Sequence, residues 1–204
     1  MWLSYLLIGS VRALLGATPR WIGSRPEDRQ RIYFANHTSH IDTVAIWSAL
    51  PPDLRAKTRT AAAADYWGTS TLKRTIALKA LNAVLIDRKR ADAQADPLRP
   101  LYDVLEAGQS VIIFPEGTRR KPGAPPDYKP GVAALYRQLN VPCIPVALNS
   151  GQYWTGPMGF LKRPGTVKVV FLAPISPGQP RRDFERDLER DIETATAQLL
   201  ADTM

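Results

Sequence analysis

Short apolar runs alternate along this chain with longer stretches in which apolar residues return every three or four positions. The runs at 31–35, 58–63, 83–86, 110–114, 143–148 and 166–172 have the length and apolar density of strands. Between and after them, 40–49, 68–80, 97–107, 130–139 and 181–201 carry helical spacing. In the last of these, Phe184, Leu188, Ile192 and Leu199 fall on one side with charges elsewhere, as in a helix laid on a sheet. The alternation predicts an α/β fold with a mixed, largely parallel central sheet flanked by helices. No internal repeat is visible, and 204 residues suffice for a single core, so 17–204 reads as one domain.

The first sixteen residues follow a different pattern. Leu3, Leu7, Val11 and Leu14 recur at helical spacing, with Trp2 and Tyr5 near the end. As a helix, 1–16 reaches about 24 Å, short of a ~30 Å hydrocarbon core, and Arg12 interrupts it. It also lacks the basic start of a secretory signal. A short amphipathic helix at a membrane interface is expected; the competing reading packs the same helix on the domain's own core.

Composition narrows the partners. A net charge of +8 calls for a polyanionic neighbour, either nucleic acid or an acidic membrane surface. The basic residues form no long stripe with interleaved aromatics, and no zinc-finger or RNA-recognition signature occurs. Membrane lipids are therefore expected as partners, and nucleic acid is not. The single cysteine, Cys143, cannot form an internal disulfide and suits a core position in a reducing compartment.

Candidate chemistry concentrates at Asn36-His37-Thr38-Ser39-His40-Ile41-Asp42, where an apolar run gives way to helical spacing. His37 and His40 are the only histidines, so a histidine general base would sit here. Residues five apart on one straight helix are turned by roughly 140° and would not meet. They meet if His37 lies in a turn and Ser39 caps a helix in which Asp42 is the third residue. Two other readings stay open: Asp42 caps the helix with His37 solvated, or His37, His40 and Asp42 bind a metal.

Further along, Ile86-Asp87-Arg88 and Glu116-Gly117-Thr118-Arg119 also occupy strand ends, where ligands of open α/β sheets bind. A basic loop rich in proline and glycine follows and carries Lys129. Arg88, Arg119 and Lys129 would suit a phosphate-bearing ligand. Neither a Gly-x-Ser-x-Gly elbow nor a Gly-Lys-Ser/Thr phosphate loop is present.

Four blocks carry a resemblance: Asn36-His37 with Asp42, Leu85-Ile86-Asp87-Arg88, Phe114-Pro115-Glu116-Gly117-Thr118-Arg119 and Val141-Pro142-Cys143-Ile144-Pro145-Val146. In order and spacing they resemble the blocks of the glycerophospholipid (lysophospholipid) acyltransferases, nearest the 1-acyl-sn-glycerol-3-phosphate acyltransferases. The resemblance implies that family's α/β fold and direct transfer without an acyl-enzyme. His37 would be the general base and Asp42 would orient it. The donor would be acyl-coenzyme A or acyl carrier protein, the acceptor a lysophospholipid, with no metal or cofactor. Arg88, Glu116, Gly117, Thr118 and Arg119 would hold the glycerol phosphate, the Gly117 amide would be available to an oxyanion, and Pro145 would serve donor binding or the fold of the site. The cytoplasmic face of the inner (plasma) membrane is the location implied, with peripheral or monotopic attachment.

Departures from the blocks bear on the acceptor. Asn82 stands where glycine usually opens the second block, Leu85 where an aromatic is usual, Arg120 where a small polar residue is common, and Cys143 replaces an aliphatic. The competing functions are acyl transfer to another lysophospholipid or a lyso-aminolipid, a metal-dependent hydrolase built on His37, His40 and Asp42, and a non-catalytic membrane-binding module.

Overall fold

The computed structural model describes Gly9, Gly16 and residues 18–87, 96–121, 124–154 and 165–202. Apart from those two glycines, the interfacial helix expected over 1–16 lies outside the described residues, as does Arg88.

Among the described residues seven strands form one sheet: β1 (Thr18–Trp21), β2 (Ile32–Ala35), β3 (Thr58–Ala63), β4 (Ala83–Ile86), β5 (Ser110–Ile113), β6 (Cys143–Leu148) and β7 (Lys168–Phe171). Their order is β1-β7-β6-β2-β5-β3-β4. The five strands from β6 to β4 run parallel, β7 pairs antiparallel with β6, and β1 runs parallel to β7. The mixed, largely parallel sheet expected from the apolar pattern is therefore the sheet observed. The edge strand β1 was not expected: Thr18, Pro19 and Arg20 are exposed and only Trp21 packs inward, which leaves no apolar run to read.

Helices cover both faces. On one face α1 (Asp42–Ala49) packs Ala45, Ile46 and Trp47 onto Tyr33, Ile112, Ile144 and Val146. The short helices α2 (Pro52–Ala56) and α3 (Ala64–Trp67) follow in the chain, then α4 (Thr71–Thr75), which runs into a π turn at Ile76–Ala80. On the other face α5 (Arg99–Glu106), α6 (Gly131–Leu139) and α7 (Arg181–Ala201) bury Leu101, Tyr136 and Phe184 against Ile32, Phe34, Val111 and Cys143. Alternate residues of β2 thus feed opposite cores, and all four are buried, as in a central strand covered on both sides.

Two local features depart from simple periodicity. The helix expected over 68–80 begins only at Thr71, where Ser70 Oγ accepts from the Lys73 amide at 3.3 Å. Asn82 adopts φ +52°, the left-handed region that asparagine tolerates better than most residues, before the chain enters β4.

Connectivity sets the site. From β2 the chain leaves through α1 on one face toward β3; from β5 it leaves through α6 on the opposite face toward β6. β2 and β5 are neighbours, so their carboxyl ends form the switch point, beyond which the binding crevice of such sheets lies.

Candidate active site

The turn after β2 is tied down at both ends. Asn36 acts as a false strand residue: its Nδ2 donates to the Leu148 carbonyl at 2.9 Å, and its Oδ1 accepts from the Leu148 amide at 2.8 Å. This fixes the end of β2 to the end of β6. The Asp42 carboxylate, with no exposed surface, then reaches back across the turn. Its Oδ2 accepts from the Thr38 amide at 2.7 Å and the Ser39 amide at 2.8 Å, and lies 2.9 Å from His37 Nδ1. Its Oδ1 accepts from Ser150 Oγ.

The expected helix cap is corrected by this geometry. α1 begins at Asp42, its N-cap position is Ile41, and no side chain caps it. Ser39 Oγ instead donates to the Trp154 carbonyl at 2.6 Å. The His37–Asp42 pair forms all the same, because the carboxylate collects amides from the turn that carries the histidine.

The His37 ring is held on a second side by Phe114 from the end of β5, with ring centroids 4.0 Å apart and an interplanar angle of 17°. Its backbone is held as well: the His37 amide donates to Glu116 Oε1 at 3.3 Å, and its carbonyl accepts from the Arg120 amide at 2.7 Å. Of this ring, Nδ1 faces Asp42, and Nε2 has no hydrogen-bond partner among the described residues. The side chain is 18% exposed, so Nε2 is within reach of the crevice.

Glu116 is only 4% exposed, so its carboxylate supports the His37 peptide from below rather than lining an open binding surface. Burial pushes its pKa up, and the His37 amide and the Arg120 charge only partly oppose this. Arg120 lies 3.8 Å from Glu116 and 2.9 Å from Glu193 on α7. Burial works to lower the Arg120 pKa, but the Glu193 hydrogen bond and the Glu116 charge outweigh it. Tyr128 OH donates to Glu193 at 3.4 Å, and burial beside these carboxylates holds the phenol well above its ordinary range. Arg120, a departure expected to bear on the acceptor, is thus the link between the Glu116 segment and the C-terminal helix.

The remaining expected residues are spread over the rim and the sheet. Gly117 has φ +67°, and its amide donates to the Phe114 carbonyl at 3.0 Å, so that amide closes a turn and is not available to an oxyanion. Thr118 and Arg119 are exposed, and the Arg119 guanidinium meets the His40 ring. The Lys129 amide donates to the Pro115 carbonyl at 2.9 Å, while its ammonium pairs with Asp127. Pro145 is buried inside β6 opposite Phe34. Beside it, two residues of β6 face three on the other side between the pairs Val146–Phe171 and Cys143–Ile175, a bulge where a missing N–H is tolerated. Pro145 therefore shapes the sheet and does not line the crevice.

His37, His40 and Asp42 do not converge on a point. Among the described residues no group of three His, Cys, Asp or Glu is arranged to hold a metal ion. Ser150 and Gly151 are the contributors that sequence reading missed. A Cβ on Gly151 would lie 2.7 Å from Thr38 Oγ1, so only glycine lets this loop close on the histidine turn. Among the described residues no helix is long and apolar enough to cross a membrane.

Comparison with known proteins places this geometry in context. Residues 22–149 match the family model described as Acyltransferase. A 1-acyl-sn-glycerol-3-phosphate acyltransferase of Pseudomonas aeruginosa is 39% identical over 95 residues, covering 46% of this chain and 37% of that protein. One from Limnanthes douglasii is 27% identical over 173 residues, covering 84% of this chain and 59% of its own length. The chain thus spans little more than a third to three fifths of these two relatives. The crystal structure of the 1-acyl-sn-glycerophosphate (LPA) acyltransferase PlsC from Thermotoga maritima superposes with a TM-score of 0.71 over 97% of this chain and 81% of that one, at 22% identity. The fold is shared.

Proposed function

The chain belongs to the Acyltransferase family, and from that premise we propose that it transfers a fatty acyl chain to the free hydroxyl of 1-acyl-sn-glycerol 3-phosphate, forming phosphatidic acid. The donor is the thioester of acyl-coenzyme A or of acyl carrier protein. The observation that carries this reading is the 2.9 Å contact between His37 Nδ1 and the buried Asp42 carboxylate, with Nε2 left toward the crevice.

In this mechanism His37 Nε2 takes the proton of the acceptor hydroxyl as the oxygen attacks the thioester carbonyl carbon. Asp42 holds the ring and stabilises the imidazolium that forms. The tetrahedral intermediate collapses with loss of the thiolate, which receives the proton from Nε2. An oxygen–acyl bond forms, a sulfur–acyl bond breaks, and no covalent enzyme intermediate is involved. Arg119 and Lys129, on the rim, attract the acceptor phosphate, with Arg88 as a third cation in the proposal. The reaction takes place at the cytoplasmic face of the inner membrane, to which the protein attaches peripherally or monotopically.

The test is acyl transfer from long-chain acyl-coenzyme A to lysophosphatidic acid, comparing wild type with His37→Ala in the presence and absence of a chelator. Chelator-insensitive transfer that disappears in the variant supports the reading. Transfer only to another lysophospholipid or a lyso-aminolipid would replace the acceptor. No transfer from either donor to any lyso-lipid would overturn the enzyme assignment.

A further inference from the structure

Four of the five large apolar side chains that stand exposed among the described residues fall within thirteen positions: Tyr66 at 44%, Leu72 at 71%, Ile76 at 36% and Leu78 at 40%. Single exposed apolar residues are normal, but a cluster marks a contact surface. The underside of this segment is seated by smaller residues: Ala77 packs with Ala62, Leu81 and Ala83, and Ala80 is also buried. A helix that serves only to cover a sheet buries its largest apolar side chains, and here they are turned outward. Leu72 and Ile76, four apart, share one face, and the π turn at Ile76–Ala80 carries Leu78 and Lys79.

Charge identifies the partner. Lys73, Arg74 and Lys79 lie among these apolar residues, and no aspartate or glutamate occurs between Tyr66 and Ile86. Lys73 Nζ sits 4.4 Å from the centre of the Tyr66 ring. Apolar side chains interspersed with cations fit a bilayer bearing anionic head groups: the former enter the boundary of head groups and acyl chains, and the latter meet phosphates. The position also fits. The Tyr66 ring lies 6.3 Å from the His40 ring, which meets Arg119 on the crevice rim.

We propose that Tyr66, Leu72, Ile76 and Leu78, together with Lys73, Arg74 and Lys79, form a docking face for an anionic phospholipid bilayer, seating the mouth of the His37 crevice against the membrane surface. It is a second attachment, separate from residues 1–16, and reversible attachments of this strength are effective in pairs. The docking stands independently of the reaction; its use in delivering a lipid acceptor rests on the proposed function.

The test is co-sedimentation of the full chain with phosphatidylcholine vesicles, with and without phosphatidylglycerol. Leu72→Glu/Ile76→Glu is expected to lower partitioning onto the anionic vesicles by at least about tenfold, given the transfer energy of an apolar side chain. Lys73→Gln, Arg74→Gln and Lys79→Gln should each lower it about fivefold and leave binding to neutral vesicles unchanged. All but the half-buried Lys73 are exposed, so unchanged far-ultraviolet dichroism is expected, and turnover of a short-chain, fully dissolved acceptor should match wild type. Wild-type partitioning in both sets overturns the proposal. So does a Leu72/Ile76 variant whose only change is dissociation of an oligomer, which would make this face a contact between copies. Vesicle binding through this face without acyl transfer would leave the docking intact and overturn the enzymatic reading instead.

Discussion

Ser150 Oγ donates to Asp42 Oδ1 across 108 residues of chain, from the loop after β6 to the first residue of α1. With the two backbone amides on Oδ2, it leaves the carboxylate fully occupied and directed at His37 Nδ1. Removing one hydrogen bond to a charged acceptor costs about 1.5–3 kcal/mol. Ser150→Ala should therefore lower kcat by about ten- to a hundredfold with KM unchanged, and Asp42→Asn by about 10²- to 10⁴-fold. Steady-state kinetics on both variants checks this, and a pure KM effect in Ser150→Ala would contradict it.

Glu116 titrates in the folded protein above its ordinary value of 4.5. The folded state then binds the proton more tightly than the unfolded state does. The associated stability is complete below 4.5 and is lost as pH rises through the folded value. Glu116→Gln keeps a carbonyl acceptor for the His37 amide and cannot ionise. Its melting temperature relative to wild type should climb between acidic and neutral pH, as measured by thermal denaturation across that range.

Arg120 is the charge that compensates Glu116, and it is 10% exposed itself. Arg120→Met leaves that carboxylate buried without its partner, at an expected cost of about 3–5 kcal/mol. The double variant Arg120→Met/Glu116→Gln should recover a large part of this. Denaturant titration of the two single variants and the double variant measures the coupling.

Gly117→Ala places a Cβ 3.7 Å from Lys129 Cγ, an ordinary contact, so sterics with neighbours are not the obstacle. The obstacle is its φ of +67°; a non-glycine residue there costs about 1–2 kcal/mol. The expected result is that loss of stability by equilibrium unfolding, with a parallel loss of activity as the Phe114–Arg120 segment shifts.

The architecture was legible because parallel strands covered on both faces must be apolar throughout, and Ile32-Tyr33-Phe34-Ala35 and Val111-Ile112-Ile113 say so directly. The pairing of His37 with Asp42 was legible for a related reason: two chemically matched residues lie within one turn's reach. What the sequence could not express was contact across the fold. Nothing near Ser150 or Gly151 signals that this loop closes on Thr38, because that proximity is created by β6 lying beside β2. Ser39 looked like a helix cap on spacing alone, but its hydroxyl is drawn to the Trp154 carbonyl, a partner 115 residues away that only the fold supplies. Arg120 read as an oddity until α7 brought Glu193 to it, and Asn82 read as a lost glycine until its positive φ showed that the backbone demand was still met.

The clamp on the His37 ring has a kinetic corollary. With Nδ1 engaged by Asp42 and one face stacked on Phe114, the imidazole cannot swap nitrogens between steps. In the proposed reaction one atom must therefore both accept the incoming proton and give it back, so nucleophile and departing group have to crowd the same small volume at the same time. Such an arrangement favours a ternary complex of both substrates over alternating occupancy, and initial-rate lines that intersect rather than run parallel are its signature.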